Sequence, residues 1–329
     1  MDIVEKLKKS ELIGRSGSGF STGAKWEIIR NQKVDKIYII CNASEGELEV
    51  FKDEYLLKKY PKQIIDGIRV ALETFPKSEA YIYLRKDLYK NLGKKLKQII
   101  GRDKIKLFRE PGGYLCGEET TLIETIERQR AEPKVKPPYP TVEGLWGKPT
   151  LVNNVETFYY INEINKNKYK KTRLICISGD IKKDNVYEVP VNWSVSKILK
   201  NTKNYPKNKF FVQVGGGACG DVRFSRELDK PMCGVGSIVI FDDEKTDPIE
   251  LMRRWIKFYI NENCGKCVPC REGVYRINEM LKEPEKIDWV LMRDILEVMQ
   301  ETSFCGLGIS MPTGFLDLIE HKKLNKNRK

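Results

Sequence analysis

Cys264, Cys267 and Cys270, followed at a distance by Cys305, restrict this chain more than any other feature. C-x-x-C-x-x-C spacing lets three thiols converge on one point when the chain turns tightly. The fourth closes a tetrahedral set only if a distant loop is brought back to them. Four thiolates gathered in this way suit an iron–sulfur cluster. A four-cysteine zinc site is the alternative, although zinc ribbons more often use two separated C-x-x-C pairs. Simple unligated thiols are the third reading.

The remaining cysteines, Cys41, Cys116, Cys176, Cys219 and Cys233, make an odd total of nine. Their apolar or glycine-rich settings read as reduced, small core residues rather than disulfides. His321 is the one histidine and reads as a surface residue of a charged helix. A lone histidine excludes an H-E-x-x-H zinc site and leaves a Ser–His–Asp triad only if His321 served it. The net charge of +13 is spread along 329 residues, with short runs at 6–9 and 322–329 that read as solvated faces or ends. Dispersed charge does not argue for nucleic acid, and an acidic protein partner uses it equally well. No secretory segment follows Met1, and no apolar run reaches the ~20 residues needed to cross a bilayer. The chain reads as cytoplasmic, with membrane contact only through partners.

Residues 1–12 have the period of a short amphipathic helix, with Ile3, Val4, Leu7 and Leu12 inward. Gly14-Arg-Ser-Gly-Ser-Gly-Phe-Ser-Thr-Gly-Ala-Lys-Trp26 follows. Its glycines let the backbone approach an anion, and Lys25 with the helix expected at 26–31 points to phosphate. It is neither a P-loop nor G-x-G-x-x-G, and an ordinary flexible loop is the bland alternative. Strands at 36–41, 79–84 and 104–109 alternate with helices opening at Pro61 and spanning 86–100. That βαβαβ order predicts a Rossmann-like, mostly parallel sheet. Its ligands belong at the strands' carboxyl ends, beside Asn42-Ala-Ser-Glu-Gly-Glu47. Pro111–Leu122 carries glycines and then Glu118 and Glu119, which start a helix over 118–128. Acidic residues there also complement the helix dipole without any ligand. A proline-stiffened loop holds Lys136 and Tyr139, and Asn153 and Asn154 precede a helix at 155–164, where capping competes with ligand binding.

Beyond a basic linker at 165–171 the texture changes. Strands at 173–178, 185–189, 209–214 and 236–241 with a helix at 194–200 suggest a compact β-grasp fold. Helical periods at 249–261, 271–281, 287–301 and 314–322 then predict a four-helix bundle with the cysteines in two inter-helix loops.

Taken in order, Gly14–Trp26, Asn42–Asp53, Gly113–Leu122, Lys136–Pro140, Trp146–Thr157 and the four cysteines resemble the NADH-binding flavoprotein subunit of respiratory complex I. Subunits of NAD-dependent hydrogenases and formate dehydrogenases share the pattern. The resemblance implies FMN, NAD(H) and a [4Fe–4S] cluster. It places Gly14, Arg15, Gly17, Lys25, Asn42, Glu45, Tyr114, Gly117, Glu118, Asn153, Asn154 and Thr157 around FMN. It gives Phe20, Lys136, Tyr139 and Glu119 to the dinucleotide, with Glu119 on the nicotinamide side as the one candidate for a catalytic role. It makes Cys264, Cys267, Cys270 and Cys305 the iron ligands. It divides the chain into an FMN/NAD-binding domain over 1–170, a β-grasp domain over 171–246 and a cluster-bearing bundle over 247–329.

The activity implied is hydride exchange between NAD(H) and FMN, with single electrons passed through the cluster to partner subunits. The partners implied are a thioredoxin-like [2Fe–2S] subunit and a ferredoxin-like or catalytic subunit. Ser44 stands where the family usually has Asp, Ile28 replaces an aromatic and Tyr139 replaces Phe. These departures open a second reading: an electron-bifurcating or ferredoxin-linked subunit whose nucleotide site is weakened or prefers NADP(H). A zinc-stapled protein binding nucleic acid is the alternative from another class.

Overall fold

The computed structural model describes residues 1–232 and 234–324. They form two compact units. The first comprises 1–46, 51–174 and 188–191; the second comprises 47–50, 175–187 and the described residues from 192 onward.

The first unit opens with α1 (Ile3–Ser10), which buries Val4 and Leu7 but leaves Ile3 half-exposed. The second helix, α2 (Thr22–Arg30), starts earlier than expected because Ser21 caps it, accepting from the Ala24 N–H at 3.3 Å. Lys25 therefore rides on its first turn. The strand β1 (Ile37–Ala43) is followed by α3 (Lys52–Lys59), which the sequence did not announce because its charges hide any apolar period. Next come α4 (Pro61–Thr74), β2 (Ser78–Leu84), α5 (Lys86–Ile100), β3 (Ile105–Arg109), α6 (Glu119–Ile126), β4 (Thr150–Asn154) and α7 (Val155–Asn165). Short β4 was also missed: all five of its residues are buried, so it shows no alternation.

The sheet order is β3–β2–β1–β4, and every pairing is parallel. Because β1 lies between β2 and β4, the strand order reverses beside it, and the crevice for a ligand lies at the carboxyl ends there. Register puts Asn42 opposite Asn154 and Cys41 opposite Asn153 at that edge. Behind the sheet, α4 and α7 approach so closely that a Cβ on Gly67 would fall 2.0 Å from the Phe158 carbonyl oxygen.

The later strands are β5 (Thr172–Gly179), β6 (Asn185–Pro190), β7 (Phe210–Val214), β8 (Asp221–Arg223) and β9 (Ser237–Asp242), with α8 (Val195–Asn201) after β6. Their order is β6–β5–β9–β7–β8, parallel between β5 and β9 and antiparallel along β9–β7–β8. The four strands and one helix expected here are present, with three-residue β8 added. The bundle is α9 (Pro248–Glu262), α10 (Val268–Lys282), α11 (Trp289–Thr302) and α12 (Gly306–His321). The expected start of α12 at 314 is corrected: Pro312 lies inside the helix, costing one hydrogen bond without ending it.

His321 keeps the exposed position expected of it; what is added is a stack on Phe224 with centroids 4.5 Å apart, and Nε2 3.0 Å from Glu227 Oε2. Cys41, Cys116, Cys176 and Cys219 form no disulfide with one another, whereas Cys233 and residues 325–329 of the basic tail lie outside the described residues. Among the described residues no helix is long and apolar enough to cross a membrane.

Candidate functional site

The glycine loop of the first unit is a closed turn. Gly14 N–H donates to the Phe20 carbonyl at 2.9 Å, and Gly17 and Gly19 take the left-handed φ values of 101° and 63° that glycine tolerates. A small cavity opens beneath it, lined by Gly14, Phe20, Lys25, Asn153, Asn154 and Thr157 among others. Two sequence segments far apart, the glycine loop with the start of α2 and the β4–α7 junction, thus meet at this cavity. Asn153 is 6% exposed, and its Nδ2 has no hydrogen-bond partner. A buried amide donor left unpaired is costly, so an acceptor filling this cavity would satisfy it. Lys25 Nζ spans the same region, 3.3 Å from the Val152 carbonyl and 3.5 Å from Glu119 Oε2. Phe20 lines the cavity yet stays 47% exposed, leaving its ring available to a planar group.

On the neighbouring loop, Glu118 caps α6 rather than beginning it, accepting from Thr120 and Thr121 N–H groups at 2.8 and 2.9 Å. Its other oxygen and Glu119 Oε1 each receive Lys136 Nζ at 3.0 Å. Burial alone would raise the Glu119 carboxyl, but Lys25 and Lys136 outweigh it and hold that group below its ordinary value. Burial likewise works against the Lys136 cation, and Glu118 and Glu119 overcome it. Glu119 is therefore a fixed carboxylate between two lysines. Tyr139 stands 55% exposed.

Other expected residues are placed here but spent within the protein. The Arg15 guanidinium donates to Tyr169 Oη at 2.9 Å and to the Thr172 carbonyl at 3.1 Å, and it lies 5.6 Å from the Tyr160 ring centroid. Its backbone N–H donates to Thr157 Oγ1 at 3.2 Å. Asn42 donates to the Gly117 carbonyl at 2.8 Å and accepts from Ser44 N–H at 3.1 Å. A Cβ on Gly117 would meet the Ser44 carbonyl at 2.7 Å, and one on Gly46 would meet Tyr114 Cα at 3.0 Å. These contacts lock the loop after β1 onto the Tyr114–Gly117 turn. Glu45 accepts from Asp53 N–H with both oxygens at 3.0 Å, and from Glu54 N–H at 3.2 Å. It closes the amino end of α3. Burial and then the Asp53 charge push its carboxyl up to about 8.

Sequence reasoning missed the ion cluster beneath these residues. Lys52 is 1% exposed and donates to Asp53 Oδ1 at 2.5 Å and Asn154 Oδ1 at 3.2 Å, with Glu156 Oε2 at 3.3 Å. Asn154 also donates to Asp53 and accepts from Glu156 N–H, so its amide is fully used. Ser44 donates to Glu110, a carboxyl 3% exposed and raised by burial. No local pattern marks Lys52, Glu110 or Glu156, since apart from the adjacent Lys52–Asp53 contact their partners are distant in sequence.

In the second unit the cysteines do not all fall in loops, as expected, but gather at helix starts. Cys264 lies in the loop after α9, Cys267 is the residue capping α10, Cys270 sits in its first turn, and Cys305 precedes α12. Helix amino ends favour thiolates. Asn263 shapes the loop by donating to the Cys270 carbonyl at 3.2 Å and accepting from Gly265 N–H at 2.8 Å. Burial, then Cys267, Cys305 and Cys264, push the Cys270 thiol up to about 12, so all four thiols are within electrostatic reach. Among the described residues no group of three or more His, Cys, Asp or Glu side chains could hold a single metal ion. Zinc draws its sulfurs to ~2.3 Å from one centre. A donor set of four thiols, one of them buried among the others, suits a four-iron cluster.

Residues 7–163 match the Nuo51 FMN-binding domain, and 250–324 match the NADH-ubiquinone oxidoreductase-F iron–sulfur binding region. The chain is 36% identical to the F subunit of NADH-quinone oxidoreductase from Aquifex aeolicus, over 93% of this chain and 81% of that protein. It is 31% identical to the HndC subunit of the NADP-reducing hydrogenase of Solidesulfovibrio fructosivorans, over 97% and 74%. A solved chain of an NAD+-reducing [NiFe]-hydrogenase in the H2-reduced state superposes with a TM-score of 0.90 at 30% identity. That match covers 98% of this chain but 61% of the hydrogenase chain.

Proposed function

The chain belongs to the family of NADH-quinone oxidoreductase F subunits, which carry FMN and a [4Fe–4S] cluster, and from that premise we propose which of its residues do what. Its reaction is hydride exchange between NAD(H) and FMN, with electrons leaving singly through the cluster. Bound flavin supplies the two-electron to one-electron conversion, and the protein orients, shields and tunes it.

The observation that carries the assignment is the unpaired Asn153 Nδ2 in a cavity that Lys25 and the glycine loop also line. Lys25 and the N–H groups of the loop would hold the flavin phosphate. Asn153 would donate to a polar atom of the same ligand. Phe20 and Tyr139 would offer their faces to the dinucleotide rings. Lys136 would exchange one carboxylate for an anionic part of the dinucleotide. Glu119, kept charged by Lys25 and Lys136, would accept from the nicotinamide side and orient it without moving a proton. Cys264, Cys267, Cys270 and Cys305 would ligate iron.

Partner subunits follow from relatives that are themselves named as subunits. We assign a thioredoxin-like [2Fe–2S] subunit and a ferredoxin-like or catalytic subunit as acceptors, in the cytoplasm, with any membrane reached through them. The relative named NADP-reducing makes nucleotide choice a specific second reading. Anaerobic purification followed by visible spectra tests both. Flavin absorbance that bleaches within the mixing time on adding NADH supports the first. Bleaching by NADPH alone, or only by dithionite, selects the second, in which the nucleotide site prefers NADP(H) or is weakened, and a colourless protein refutes both.

A further inference from the structure

Ser303 lies between α11 and α12, just ahead of Cys305. Its backbone is committed, N–H donating to the Met299 carbonyl at 3.1 Å. Its hydroxyl is not: the residue is 8% exposed and Oγ has no hydrogen-bond partner. Neighbouring hydroxyls show the usual outlet. Thr302 Oγ1 and Ser310 Oγ each donate to the carbonyl four residues back at 2.6 Å. Ser303 has left the helix, with φ −71° and ψ 148°, so that outlet is closed to it.

Where the hydroxyl sits is fixed by Gly308. A Cβ there would lie 2.5 Å from Ser303 Oγ and 3.1 Å from Cys270 Cβ. One point in space therefore touches both the unpaired hydroxyl and the most buried of the cluster cysteines, and Gly308 keeps it clear. Buried hydroxyls are nearly always paired, and sulfur is the acceptor chemistry at hand.

We propose that Ser303 is a potential-tuning residue whose Oγ–H donates to a sulfur of the cluster beside Cys270. The bond strengthens when the reduced cluster gains negative charge, so it favours the reduced form and raises the reduction potential. The proposal rests on reading the four cysteines as cluster ligands.

The test compares wild type, Ser303→Ala and Ser303→Thr, each reconstituted anaerobically, with iron content measured and the cluster titrated by EPR. Ser303→Ala should bind as much iron as wild type and shift its midpoint to more negative potential. The expected change in the reduction equilibrium is three- to tenfold, about 30–60 mV for one electron. Ser303→Thr should recover most of it. An exchangeable-proton coupling in the ENDOR spectrum of the reduced cluster should be present in wild type and absent from Ser303→Ala. The cluster-free Ser303→Ala chain should melt no lower than wild type, since the hydroxyl is unpaired there. Equal potentials at equal iron content would overturn the proposal, as would equal shifts in Ser303→Ala and Ser303→Thr. A wild-type chain that takes up no cluster would instead overturn the ligand reading beneath it.

Discussion

Replacing Lys52 by methionine gives the sharpest test of how the flavin side is held. Lys52 shares a buried cluster with the carboxylates of Glu45, Asp53 and Glu156 and with the Arg15 guanidinium, whose Nε is 3.9 Å from Glu156. Fully ionised, three anions against two cations leave one negative charge in the interior. Burial and the Asp53 charge push the Glu45 carboxyl up to about 8, and burial raises Asp53 as well, so the pair favours taking up one proton. Methionine matches the length of lysine but removes a cation and its bonds to Asp53 and Asn154. Breaking one side of a buried pair costs about 3–5 kcal/mol, because the other side stays buried and charged. Asp53, already raised by burial, becomes the group that must take up a proton. A carboxyl raised in the folded state binds its proton more tightly there than in the unfolded chain, so stability falls as pH rises through that window. Lys52→Met should therefore be most damaging near pH ~8 and mildest near pH ~5. The double variant Lys52→Met/Asp53→Asn should recover at least half of the loss. Urea unfolding followed by circular dichroism at both pH values measures this. A loss under about 1 kcal/mol, or one independent of pH, would refute the neutral-cluster argument.

Three further outcomes follow from single contacts. Glu45→Gln keeps acceptors for Asp53 and Glu54 N–H groups but removes a carboxyl raised to about 8, so wild type should lose stability relative to the variant between about pH 5 and 8 in thermal melts. Lys25→Met should raise the FMN dissociation constant about tenfold or more in a fluorescence titration, since a charge-assisted bond is worth about 1.5–3 kcal/mol. Gly67→Ala drives a methyl into the Phe158 carbonyl and should cost about 1–3 kcal/mol in urea without altering the cluster's EPR signal.

What the sequence revealed of the fold depended on how local the signal was. The strands and helices with clean periods, β1, β2, α5 and α11, were legible to within a residue or two. Charged α3 was not: its start is set by Glu45, seven residues earlier than Lys52, through a capping contact that no period encodes. Buried β4 gave no strand signal because all five of its residues are covered and nothing alternates. The last helix was expected only from 314, yet α12 begins at Gly306 and carries Pro312 inside it. The cysteine spacing was legible as a metal motif, but not that Cys267 and Cys305 would sit at helix starts.

At the candidate site the sequence could name residues in special loops but could not tell spare hydrogen-bonding capacity from capacity already used. Asn153 and Asn154 are adjacent and chemically identical, yet Asn154 is consumed by Lys52, Asp53 and Glu156 while Asn153 keeps a donor. The difference comes from side chains as much as 102 positions away and from the alternation of the strand, which turns successive residues to opposite faces. The same sorting applies around the cradle. Asn42, Glu45 and Asn154 have their polar groups engaged by protein, and Arg15 is held through a terminal guanidinium nitrogen and its backbone although its buried Nε has no hydrogen-bond partner, so they hold the cradle's shape. Lys25 and Asn153 offer charge or an unpaired donor to the cavity. Substitutions in the first group should therefore lower stability and flavin binding together, and those in the second should weaken flavin binding while the flavin-free chain unfolds as before. If Asn153→Ala destabilised the flavin-free chain as much as Asn154→Ala, the unpaired donor would be no reserve for a ligand, and the cradle would lose its strongest structural support.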